Sequence, residues 1–188
     1  MNFYAAVLFV HAIAVLVLTA ASTIETWTLV QLRRSTRASE VRPWIEAQQS
    51  ITLATISSML IIFATGAWLT ESLRSWAYAW PRLAVLEIVL FALLGANTGR
   101  RMRAIRRYVA SEKANPSEWN ALTQSAFLKV SLSTRIWIVM GAILLMAAKP
   151  DLRESLFIVV SSLVLGVSSS FVSFGRRSAV SKVQADSR

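Results

Sequence analysis

Cysteine is absent from the 188-residue chain, which excludes structural disulfides, thiolate metal sites, Cys-ligated iron–sulfur clusters and covalent c-type haem attachment. Histidine occurs once, at His11, so bis-histidine haem within one chain is excluded too. Six glycines and four prolines leave no Gly-rich turns, and no Walker loop, dinucleotide glycine pattern, metalloprotease motif or nucleophile elbow occurs. Charge is scarce: 16% of residues are charged, where a soluble domain carries about 25%. What fills the space is apolar. Hydrophobic residues make up 55% of the chain and mean hydropathy is +0.52.

Five hydrophobic stretches reach the roughly 20 residues needed to cross a hydrocarbon core: about 3–30, 51–70, 82–99, 126–148 and 155–174. They predict an all-α integral membrane bundle of five transmembrane helices over residues 1–174, with a flexible basic tail at 175–188. The start reads as a retained helix, not a cleavable signal, because Met1 to Tyr4 lacks positive charge and the run ends in Arg33, Arg34 and Arg37. Pro43 suits the first turn of the second helix, and Pro81 opens the third. Beyond Gly99, Met102, Ile105 and Val109 keep helical spacing, so the third helix is expected to project about 20 Å past its span. Asn115-Pro116-Ser117-Glu118 carries the residue types of a capping box. That predicts an αα-hairpin whose stem, residues 100–125, packs Ile105 and Val109 against Trp119 and Leu122. Asp151 and Glu154 repeat the cap spacing before the fifth span.

The net charge of +10 is distributed unevenly. Four, seven and four basic residues fall in 33–42, 100–129 and 176–188, against Arg74, Arg82, Lys149 and Arg153 in the alternate segments. The positive-inside rule then places the N-terminus outside and the C-terminus in the cytoplasm. Arg100, Arg101, Arg103, Arg106 and Arg107 read as a basic stem facing anionic headgroups or a protein partner, and not nucleic acid, because they adjoin a span.

A charge inside lipid costs about 2.5–3.5 kcal/mol or more, so intramembrane ionisable groups need partners or a task. His11, Glu25, Glu87, Asn97 and Arg135 are the candidates. At 1.5 Å per residue His11 and Glu87 lie about 10 and 8 Å from the outer edge, and Arg135 about 12 Å from the inner. An arginine side chain can reach further towards Glu25 and Asn97. Two polar layers are expected: His11 with Glu87 outside, and Glu25 with Arg135 and Asn97 inside. They could form a proton relay or binding cavity, or structural clasps fixing helix register. His11 is also a candidate ligand for haem, or for copper with Met59, Met140 or Met146, though no spaced partner histidine accompanies it. Small residues read as packing devices: Gly95 and Gly99 on the third helix, and Ser162, Gly166 and Ser170 on the fifth, where homodimerisation or a pore lining are alternatives.

The histidine-bearing first span, the arginine in the fourth and the run Leu145-Met146-Ala147-Ala148-Lys149-Pro150 resemble small bacterial multi-pass inner-membrane proteins, distantly similar to copper-resistance D-like proteins. The resemblance implies a bacterial inner-membrane setting. It also implies metal handling, for which this chain lacks the further His and Met ligands. Three functions follow: a small transporter or proton-coupled permeation protein, a non-catalytic accessory or scaffold subunit, and a haem- or copper-dependent redox protein. The balance favours a non-enzyme without a cofactor, acting alone, as a homo-oligomer or within a membrane complex.

Overall fold

A computed structural model describes the backbone of residues 2–34, 38–111 and 125–185, with side chains for 2–32, 43, 44, 46–111 and 125–171. Five α-helices follow one another: α1 (Phe3–Arg34), α2 (Ala38–Ser72), α3 (Ala79–Ala110), α4 (Ala126–Ala148) and α5 (Leu152–Ala185). A 3₁₀ turn at Ser75–Ala77 lies between α2 and α3. All five helices are long and apolar enough to cross a membrane. Large apolar side chains such as Phe9, Leu16, Leu60, Leu93 and Phe157 are exposed along them. A surface of that kind is stable against lipid and not against water. The chain is a multi-pass membrane protein of all-α architecture.

The helix ends have local causes. Asp151 Oδ1 accepts the Glu154 backbone N–H at 2.9 Å, capping the start of α5. Lys149 adopts φ 48°, a left-handed stop to α4, and its N–H closes on Leu145 O at 3.0 Å. At the other ends of α1 and α2, Phe3 meets Trp68 edge-on with ring centroids 5.1 Å apart. Three expectations need correction. α2 starts at Ala38, so Pro43 falls inside the helix and not at its opening. α3 starts at Ala79, placing Pro81 within its first turn. α5 runs on to Ala185, through the segment read as a tail after Phe174, because the polar residues there break the apolar pattern without supplying a helix stop. The Asn115–Glu118 cap, the hairpin turn, Trp119 and Leu122 lie outside the described residues.

α4 holds the bundle together. It packs against α1, α3 and α5, while α2 joins through α1 and α3. Within its most apolar window 44% of residues are buried, against 17–28% for the other four helices. α4 and α5 approach closely: a Cβ on Gly166 would stand 2.6 Å from Thr134 Cα. Ser133 and Ser169 share a hydrogen bond of 2.7 Å across the same seam, and Trp137 Nε1 donates to Ser169 Oγ at 3.0 Å. The small residues of α5 therefore serve packing within the chain. Gly95 and Gly99 do not act as a pair: Gly95 faces the Arg135 guanidinium, and Gly99 only Arg103 of its own helix. Where α3 extends past its span, Ile105 and Tyr108 bury against Leu29, Leu32, Leu128 and Leu132.

Candidate functional site

Buried polar side chains are few, and each spanning helix contributes some of them. Glu25 on α1 and Arg135 on α4, 5% and 2% exposed, form an ion pair through Oε2 and Nη1. Thr55 Oγ1 of α2 bonds to Ile51 O of its own helix at 3.0 Å and lies 3.4 Å from Glu25 Oε1, a long contact. The guanidinium carbon of Arg135 sits 4.3 Å from the Phe91 ring centroid, and Nε has no hydrogen-bond partner. Gly95, one turn beyond Phe91, leaves room for the guanidinium. Asn97 is exposed and does not join this level. Its neighbour Thr98 is the buried residue and shares a 2.7 Å hydrogen bond with Ser131 of α4. A single residue step turns a helical side chain by about 100°, enough to swap an inward position for a lipid-facing one.

His11 and Glu87 occupy separate pockets and do not answer each other. His11 is buried, with Nδ1 2.8 Å from Thr65 Oγ1 of α2, and Gly66 gives its ring space: a Cβ there would lie 3.2 Å from Cε1. Thr65 also donates to Ile61 O, so the imidazole Nδ1–H is the donor that completes the contact. Glu87 is fully buried at the junction of α3, α4 and α5. Its Oε1 is 3.1 Å from Ser162 Oγ, and Oε2 has no partner. Gly141 of α4 makes the junction open enough, since a Cβ would fall 2.6 Å from Oε1.

Between these levels lies an apolar layer drawn from four helices, bordered on the Glu25 side by the buried hydroxyls of Ser22 and Ser58. Ala14 and Leu18 lie between His11 and Glu25 on α1, and Ile62 between Thr65 and Thr55 on α2. Ile138 and Val139 lie between Arg135 and Gly141 on α4, and Phe91 follows Glu87 on α3. A cavity of about 30 Å³ opens here, room for about one water-sized sphere, but its lining is wholly apolar. A water there would find no hydrogen-bond partner in the lining.

No family model, curated protein or solved structure matches this chain.

The metal expectation gains no geometry. Among the described residues, no three His, Cys, Asp or Glu side chains gather to hold an ion. Met140 is exposed, while Met59 and Met146 line the apolar cavity, whose lining does not include His11. The basic stem is partly engaged: Arg101 donates to Ser125 and lies 5.0 Å from the Phe127 ring centroid, and Arg106 reaches Gln49 Oε1 at 3.3 Å. Arg100, Arg103 and Arg107 are exposed on the same extension of α3. Sequence reasoning missed Thr65 and Gly141, and named Ser162 as a packing or pore-lining residue without connecting it to Glu87. The signal for Gly141 and Ser162 was available as small residues on α4 and α5 at the level of Glu87.

Proposed function

We propose that this chain is a non-catalytic accessory or scaffold subunit of a bacterial inner membrane, whose buried charges lock helix register. The carrying observation is the apolar layer of Leu18, Ile62, Phe91, Ile138 and Val139 between the His11 and Glu25–Arg135 levels. A proton relay needs hydrogen-bonding groups or water at every step, and an all-apolar lining offers neither. Glu25 and Arg135 satisfy each other's charge, which is the arrangement of a clasp. Basic residues favour the N-terminus outside and the stem of α3 in the cytoplasm. There Arg100, Arg103 and Arg107 would meet anionic headgroups or a partner's acidic face.

A small transporter or proton-coupled permeation protein is the second reading. The unpartnered Glu87 Oε2 and Arg135 Nε favour it, because a second arrangement of the helices could employ them. Purified protein in vesicles with an imposed pH gradient separates the two. The scaffold reading expects proton flux at the protein-free rate, together with a stoichiometric assembly heavier than the 20.8 kDa chain in native membrane extracts. Flux that depends on protein and vanishes in Glu25→Gln or Arg135→Gln would overturn it.

A further inference from the structure

We infer that Glu87 is an intramembrane proton-binding site: a neutral carboxylic acid whose Oε1 proton is donated to Ser162 Oγ, holding α3 against α5. The argument comes from counting protons. Ser162 Oγ lies 2.8 Å from Val159 O and 3.1 Å from Glu87 Oε1. A serine hydroxyl has one hydrogen, and a backbone carbonyl can only accept. The shorter contact takes that hydrogen, as expected for a serine bonding back along its own helix. Two oxygens then face each other at hydrogen-bond distance with no proton from serine left between them. Glu87 supplies it.

The surroundings point the same way. A carboxylate accepts at both oxygens, yet Oε2 has no donor and the residue is 0% exposed. Among the described residues no cation pairs with it; on α3 itself Arg82 donates to Trp76 O, and Arg100 lies thirteen residues along the helix. α4 presents Gly141 and α5 presents Ser162. α2 carries no charged residue between Gln49 and Glu71. On α1, His11 contacts Thr65 and Glu25 contacts Arg135. On α4, Arg135 lies six residues from Gly141, packed over Phe91 and held by Glu25; Lys129 lies further still along the helix. On α5, the next charged residues are Arg153 and Glu154 on one side and Arg176 on the other. An ionised Glu87 would be a buried charge without a partner, which proteins avoid by holding the proton. As an acid it needs one acceptor, which Ser162 is, and leaves only a carbonyl oxygen unpaired.

Gly141 belongs to this site. Any side chain there would meet Oε1 and also Ser162 Cβ at 3.0 Å, pushing apart the two groups that share the proton. The inference does not depend on which reading of function holds, since it concerns what Glu87 carries and not whether the proton travels.

Infrared spectroscopy tests this directly, with protein at pH 6 in a detergent free of ester carbonyls. A carboxylic-acid carbonyl band is expected, lost in Glu87→Gln and retained in Glu25→Gln. Ser162→Ala should keep the band but shift it towards the frequency of a free acid. Absence of the band in the unmodified protein, or its loss in Glu25→Gln alone, would overturn the inference. A band unmoved by Ser162→Ala would remove the hydrogen bond that defines the site. Should Glu87→Gln fail to fold, the unmodified protein and the other two variants still decide.

Discussion

Replacing Arg135 by Met removes a cation that is 2% exposed and leaves Glu25, 5% exposed, with only Thr55 at 3.4 Å. Breaking a buried pair from one side costs about 3–5 kcal/mol. A lone charge near the middle of a spanning helix costs about 2.5–3.5 kcal/mol on insertion scales. The two ranges overlap near 3 kcal/mol, and Arg135→Met should lose about that much. Glu25→Gln should lose less, because the guanidinium keeps its contact with the Phe91 ring, worth up to about 2 kcal/mol when desolvated. The double variant removes both charges and should recover much of the loss, with a coupling energy of about 2 kcal/mol, as for residues in direct contact. Unfolding in mixed micelles by titration with a denaturing detergent measures all four proteins on one scale. Additive losses, or an Arg135→Met cost under about 1 kcal/mol, would refute the view that this pair holds α1 to α4.

The same assay checks the packing. Gly166→Ala forces a Cβ to 2.6 Å from the Thr134 backbone and should cost about 1–3 kcal/mol, while Gly99→Ala, meeting only Arg103 at 3.6 Å, should stay within about 0.5 kcal/mol. Ile105→Ala empties a site 1% exposed among Leu29, Leu32, Leu128 and Leu132, with an expected loss of about 2–5 kcal/mol. Asn97→Ala should be silent because the side chain is exposed. Under the proposed topology, replacing Arg100, Arg103 and Arg107 by Gln should weaken association of the protein with anionic lipid by about 1 kcal/mol per residue, read as loss of lipid selectivity in nanodiscs.

The spans were legible because length and hydropathy alone decide whether a helix can cross a bilayer, and α4 matches its expected bounds at Ala126–Ala148. The Glu25–Arg135 contact was legible as well, since two opposite charges at similar depth have strong reason to meet. Depth, however, says nothing about rotation around a helix axis. Asn97 and Thr98 share a level, yet only Thr98 faces α4. His11 and Glu87 also share a level by arithmetic, but His11 is turned to α2 and Glu87 to α4 and α5. Their partners, Thr65 and Ser162, were hidden for a different reason. Hydroxyls are frequent in membrane helices and usually bond to their own backbone, so one that also serves a neighbour carries no mark in the sequence.

The ion pair between Glu25 and Arg135 joins residues 110 positions apart. A chain grown from its N-terminus at about 5–20 residues per second leaves roughly 5–20 s between the synthesis of the two. Throughout that interval α1, joined in turn by α2 and α3, lacks the arginine that answers Glu25. The carboxyl must wait protonated, or at the membrane surface, or in the care of the insertion machinery. Assembly of this bundle is thus timed by its fourth helix, and a chain cut short before Ala126 would carry an unanswered acid in its first.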